Sequence, residues 1–170
     1  EKESRRIAQT LSQIESVMHT TMDKSSMLQS VAEESALSIG ADGTLLAMRE
    51  AKGWRVHHGY GSFQHLVGVS FTSADVPFVG AVVESNRPAV IDDAYLNVHE
   101  IGDTARQLGL KYVMASPLIV RDKAVGILLF NYDEPHRFSD QEIQFAARLG
   151  NSVGLAMQNI ELYEAEQIGR

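Results

Sequence analysis

A chain of 170 residues, 44% of them hydrophobic, can bury one sizeable core, and its length falls within the range of a single domain. Its net charge of -7, from 22 acidic and 15 basic side chains with no Lys/Arg cluster along the chain, argues against a nucleic-acid module, which must neutralise phosphates. Cysteine is absent, so disulfides, thiolate metal sites, thiol nucleophiles and thioether-held cofactors are excluded together.

No apolar run approaches the roughly 20 residues of a membrane span. The opening Glu1-Lys2-Glu3-Ser4-Arg5-Arg6 lacks the apolar core of a signal peptide, which points to a cytoplasmic module. The chain starts without an initiator methionine and closes in a charged helical pattern, as expected of a segment of a longer polypeptide.

Ile7, Leu11, Ile14 and Met18 recur at spacings of four, three and four in a polar background, the narrow stripe of a helical seam rather than of a core helix. Asp23 offers an N-cap for a second helix, whose broad apolar face of Met27, Leu28, Val31, Ala32, Ser35, Ala36 and Ile39 ends at Gly40. Thr44 to Glu50 and Trp54 to Gly59 then read as a hairpin around the Ala51-Lys52-Gly53 turn. Tyr60 to Val76 is an irregular stretch with isolated Phe63, Leu66, Val67 and Phe71, and structureless stretches of this length are often functional.

Val76 to Asn86 is a short amphipathic helix, Ala89 to Ile91 a brief strand, and Asp92 to Tyr95 the start of a second irregular stretch. A helical turn or two over Thr104 to Leu108 closes at Gly109. Tyr112 to Phe130 is a hairpin with an Arg-Asp-Lys loop, and its second run, Ala124 to Phe130, has no polar residue, so both of its faces must be covered. After the polar connection Asn131 to Arg137, Ser139 and Glu142 form a capping box for a helix from Asp140 to about Gln167. At 1.5 Å per residue that helix is roughly 42 Å long and outruns a compact domain. Its Ala146, Leu149, Val153, Ala156, Ile160 and Tyr163 follow heptad spacing, so both terminal helices are expected to carry a homodimer seam: Ile7, Leu11, Ile14 and Met18 on the first, Leu149, Val153, Ala156, Ile160 and Tyr163 on the last.

The order of elements, together with Arg-Pro-Ala-Val-Ile-Asp-Asp-Ala from Arg87 to Ala94, Ser-Pro-Leu-Ile-Val from Ser116, Val-Gly-Ile-Leu-Leu-Phe from Val125 and Arg-Phe-Ser-Asp-Gln-Glu from Arg137, resembles the GAF family of sensory domains over residues 24–159. The resemblance implies an α+β fold with a six-stranded antiparallel sheet, the terminal helices on one face and a small-molecule pocket on the other. It divides the chain into an N-terminal signalling or dimerisation helix (1–22), the GAF domain (23–160) and an exit toward an output domain (161–170). It also implies a sensory role in a signal-transduction protein such as a histidine kinase, with no catalysis by the domain itself. The cofactor is left open, and neither nucleic acid nor membrane is expected as a partner.

Covalent bilin attachment and free methionine sulfoxide reduction need cysteine, which this chain lacks. Of the signature carried by cyclic-nucleotide-binding members, Asn131 and Phe138 match, but Tyr132 stands for Lys and Glu142-Ile143 for Asp-Glu. No spacing assembles a nucleophile, base and orienter, and Gly59-Tyr60-Gly61 lacks the rest of a phosphate loop.

For an apolar pocket with a few polar groups, the expected lining is Phe71, Phe78, Val79, Val82, Asp92, Tyr95, Met114 and Ser116, with Met48 and His57 beside them. Met114 and Ser116 share a strand face and are expected to floor it. His65 and His99, in the two irregular stretches, are the candidate metal or haem ligands; His57 and His58 are adjacent on a strand and should point to opposite faces. Two alternatives stand beside a ligand sensor: a ligand-free domain for dimerisation or relay, and a haem- or iron-binding gas or redox sensor.

Overall fold

A computed structural model describes residues 2–20, 23–93 and 102–168, with side chains omitted at 2–4, 6, 17, 19, 20, 167 and 168. Among the described residues the elements run α1 (Lys2–Thr20), α2 (Lys24–Ile39), β1 (Gly43–Glu50), β2 (Gly53–Gly61), a 3-10 turn (Gln64–Leu66), β3 (Ser70–Phe71), α3 (Pro77–Ser85), β4 (Ala89–Ile91), α4 (Asp103–Gln107), β5 (Tyr112–Val120), β6 (Lys123–Tyr132) and α5 (Asp140–Ile168). The six strands form one antiparallel sheet in the order β3-β2-β1-β6-β5-β4. No described helix is long and apolar enough to cross a membrane.

Local signals act as the sequence suggests. The Asp23 carboxylate accepts the Ser26 N–H at 3.1 Å and starts α2, which ends at Gly40 in the left-handed region at φ 69°. Pro77 opens α3 at a position where a missing N–H costs nothing. The β5–β6 loop is tighter than the three residues expected: Arg121 (φ 51°) and Asp122 (φ 67°) alone make the turn, and Lys123 already pairs with Val120. Positive φ at both central residues matches the right-handed twist of the flanking strands.

The sheet is buried on both faces. On one side Leu46, Met48, Met114, Leu118, Leu128 and Phe130 pack against α1, α2 and α5; on the other Leu45, Ala47, Val113, Ala115, Ile127 and Leu129 pack beneath α3 and its neighbouring loops. β6, at the centre, is covered as its unbroken apolar run requires.

α1 departs from expectation. Ile7, Leu11, Ile14 and Met18 are 3–7% exposed and pack in the same cluster as Leu149, Val153, Ala156 and Ile160, all of which are also buried within one chain. α1 lies alongside α5 in the same direction, with Glu15 meeting Arg148 at 3.5 Å and Ser152 at 2.6 Å. The expected dimer seam is therefore corrected: the two stripes satisfy one another inside the chain, and burying each large side chain is worth about 2 kcal/mol. Tyr163, at 45% exposure, takes no part in it. A heptad stripe reports that a helix has a partner, not which chain supplies it.

Candidate functional site

The face of the sheet opposite the terminal helices is the candidate site. Its floor is Leu45 and Ala47 of β1, Trp54 and Val56 of β2, Val113 and Ala115 of β5, and Ile127 and Leu129 of β6. Phe71, Phe78, Val79 and Val82 cover that floor at 7, 5, 1 and 0% exposure, so the structure brings these four expected lining residues together. Trp54 pairs with Phe71 across β2 and β3 and donates its indole N–H to Ser73 Oγ at 3.1 Å.

Met114, Ser116 and Met48 are not there. Met48 and Met114 belong to the cluster under the helices, and Ser116 Oγ donates to Ala146 O of α5 at 2.7 Å. The expectation that they floor the pocket is corrected by one residue of parity: Val113 and Ala115 take that place. Every side chain from Val113 to Leu118 is buried, so alternation gives no polarity by which to tell the faces apart.

His57 also leaves the candidate site. Leu46 pairs with His58 and Ala47 with Val56, so His57 is the extra residue of a β-bulge; it is exposed, its Nε2 3.4 Å from Glu50 Oε2. His58 instead lies against α2, its Nδ1 3.0 Å from Gln29 Oε1, while Gln29 Nε2 donates to Gly59 O at 3.3 Å. Burial, with a smaller contribution from neighbouring His57, holds the His58 pKa below its ordinary 6.5. His65 is exposed on the 3-10 turn, and no group of three metal-ligating side chains occurs among the described residues. Tyr95 and His99 lie outside the described residues. Asp92 is exposed and borders a marginal hollow of about 480 Å³ with Tyr112, Pro135, His136 and Arg137.

The Asn131 to Glu142 signature has structural work. Asn131 Oδ1 accepts the Lys111 N–H at 2.8 Å. Tyr132, in the Lys position, donates to Ile39 O at the end of α2, and its ring stacks on His136 at 3.6 Å. Glu142 accepts from Ser139 N–H at 2.9 Å and lies 3.0 Å from His136 Nε2, while its own N–H donates to Ser139 Oγ at 3.1 Å, completing the capping box. This cluster fixes where α5 begins. Sequence reasoning had the motif but not its role, because the Tyr132–His136 stack joins residues with no periodic relation.

α5 then meets β5 at backbone distance. A Cβ on Gly150 would lie 2.2 Å from Pro117 O, and one on Gly154 1.8 Å from Ile119 O. With Ser116 bonded to Ala146, three successive turns of α5 rest directly on the strand whose other face carries Val113 and Ala115.

The GAF domain profile matches residues 23–157. No curated protein matches the chain. Among solved structures, the GAF domain of a phosphoenolpyruvate-protein phosphotransferase from Coxiella burnetii superposes with a TM-score of 0.83 at 20% identity, covering 95% of this chain and 98% of that one. The phycoerythrobilin-bound GAF domain of a cyanobacterial phytochrome gives 0.77 at 16% identity over 93% and 97%. Free methionine-R-sulfoxide reductase from Neisseria meningitidis, in complex with its substrate, gives 0.78 at 14% identity over 92% and 91%. These likenesses establish a shared fold, and with the profile spanning the sheet and the helices on both of its faces, the chain belongs to the GAF domain family.

Proposed function

We propose that this domain is the sensory module of a signal-transduction protein of the histidine-kinase kind, binding a small molecule on the α3 side of its sheet and relaying occupancy through β5 to α5. On this reading residues 1–22 lead in, 23–160 form the sensor, and 161–170 pass the signal on. The carrying observation is the contact of α5 with β5. Val113 and Ala115 face the candidate site while Ser116, Pro117 and Ile119 touch α5 with no side chain of the helix between them, so a displaced β5 pushes on helix backbone. Close-packed interfaces transmit such shifts instead of absorbing them.

A thermal-shift panel of cyclic nucleotides, haemin, bilins and amino acids tests the ligand. A compound present at a hundred times its Kd should stabilise by about 2.7 kcal/mol, on the order of 5–10 °C in a domain this size. A flat panel would overturn the ligand and leave the second reading, a ligand-free domain for relay. That reading is favoured by one observation: Phe71, Phe78, Val79 and Val82 already fill the α3 side, and hollows such as the 250 Å³ one beside Glu50, Trp54 and Phe71 lie at the sheet's margin. A haem or iron sensor is the third reading, and a Soret band unchanged from free haemin would remove it.

A further inference from the structure

The sequence carries no cationic run, yet the fold assembles one. The β1–β2 turn brings Arg49, Lys52 and Arg55 beside Arg121 and Lys123 of the β5–β6 turn, Arg49 donating through Nε and Nη2 to Ala124 O at 3.1 and 3.0 Å. Arg87 joins them from the α3–β4 connection, which Asn86 Nδ2 ties to Asp122 O at 3.1 Å. These are six of the fifteen Lys and Arg residues of an acidic chain, gathered at one end.

Among the described residues three carboxylates stand with them: Asp75 lines a hollow with Lys52 and Arg55 and accepts the Thr72 N–H at 3.0 Å. Glu50 is engaged by Arg55 at 3.0 Å and His57 at 3.4 Å, and Asp122 borders a hollow of about 440 Å³ with Arg49 and Lys123. The side chains of Lys52, Arg87, Arg121 and Lys123 have no ion-pair partner among the described residues. Arg49 is held rigid by its two bonds and by the Trp54 ring 4.7 Å from its guanidinium carbon, so it loses little freedom on meeting an anion.

The opposite charge leaves from the same end. α5 follows β5 toward the β5–β6 turn, meeting Ser116, Pro117 and Ile119 in succession, so its last turns pass beyond that turn. Glu161, Glu164 and Glu166 are all exposed there, and the last described turn of the helix holds no basic residue. Glu161 meets Lys24 at 3.4 Å, whereas Glu164 and Glu166 have no ion-pair partner among the described residues. Leu162 and Tyr163 beside them are 54 and 45% exposed.

We infer that two copies of this chain pair end to end about a twofold axis, the acidic last turns of α5 in each seated over the cationic hairpin end of the other. A straight helix cannot double back onto its own hairpin tips, but a second copy's helix reaches them, and twofold symmetry makes the contact twice. Nucleic acid fits less well: only Arg49 and Lys123 of the six cations line the hollow, Asp122 stands in it with them, and the chain as a whole repels phosphate.

Sedimentation of the chain at about 0.05 and about 0.5 M NaCl, where the screening length falls from about 14 to about 4 Å, should show a dimer that weakens at least ~tenfold in salt. Arg121→Glu with Lys123→Glu, or Glu164→Lys with Glu166→Lys, should each abolish it while leaving the melting temperature unchanged in dilute protein at about 0.5 M NaCl, where the wild type is dissociated too, since every site is exposed. Mixing the two reversed proteins should restore a salt-sensitive dimer, because both contacts then join opposite charges. A wild type monomeric at low salt, a dimer indifferent to salt, or a mixture that stays monomeric would each overturn the pairing.

Discussion

Gly154→Ala is the sharpest perturbation of the contact between α5 and β5. The added Cβ would start 1.8 Å from Ile119 O and 2.7 Å from its carbon, backbone atoms of a strand paired along its other edges, whereas ordinary contact begins at 3.4 Å. Relief requires α5 to lift by about 1.6 Å, and a gap of even 0.5–1 Å forfeits a quarter to a half of the dispersion energy of the surfaces it parts. Leu149, Val153 and Met157 would all loosen. Overpacking of this kind costs about 1–3 kcal/mol and occasionally more, while replacing a mid-helix glycine by alanine returns about 1 kcal/mol. Because the clash is with strand backbone that cannot turn aside, the upper end of about 3 kcal/mol applies, and the net loss is on the order of 2 kcal/mol. Urea unfolding at an m-value of about 2 kcal/mol/M should then show the midpoint falling by about 1 M. Asn159→Ala, on the exposed face of the same helix, has only the propensity gain and should leave the midpoint unchanged or slightly higher. A Gly154→Ala protein as stable as wild type would refute the backbone contact, and with it the relay built on it.

Two further outcomes follow from buried positions. Leu11→Ala, at 3% exposure between α1 and α5, should cost about 2–5 kcal/mol with no dependence on protein concentration; a loss that shrinks as the protein is concentrated would return the stripe to an interchain seam. Because burial depresses the His58 pKa below 6.5, the unfolded chain binds its proton first. Its contribution to stability should be intact above pH 6.5 and fade as pH falls through the lower folded value, and His58→Gln should flatten that slope in denaturation measured between pH 5 and 7.5.

Much of the fold was legible before any coordinates. Asp23, Gly40, Pro77 and the Ser139–Glu142 box mark helix ends through bonds made within a few residues, and the all-apolar run from Ala124 announces a strand covered on both faces. Such signals are local, so the sequence carries them whole. The four expected lining residues that pack together over the candidate site, Phe71, Phe78, Val79 and Val82, come from short elements whose apolar side has one place to go.

What failed needed a partner from far along the chain. The faces of β5 were transposed because both are apolar, and only the Ser116 hydroxyl bonded to Ala146 distinguishes them. His57 was misjudged because a bulge breaks the strict alternation the reading assumed. The sequence by itself determined the family, the order of the elements and the need to cover β6 twice. Tertiary structure alone decided that the α1 stripe closes on α5 within one chain, and that cations scattered from Arg49 to Lys123 meet at one end of an acidic protein. Periodicity records which face of an element is buried, while the pairing of faces and the gathering of charges depend on contacts that no window of sequence contains.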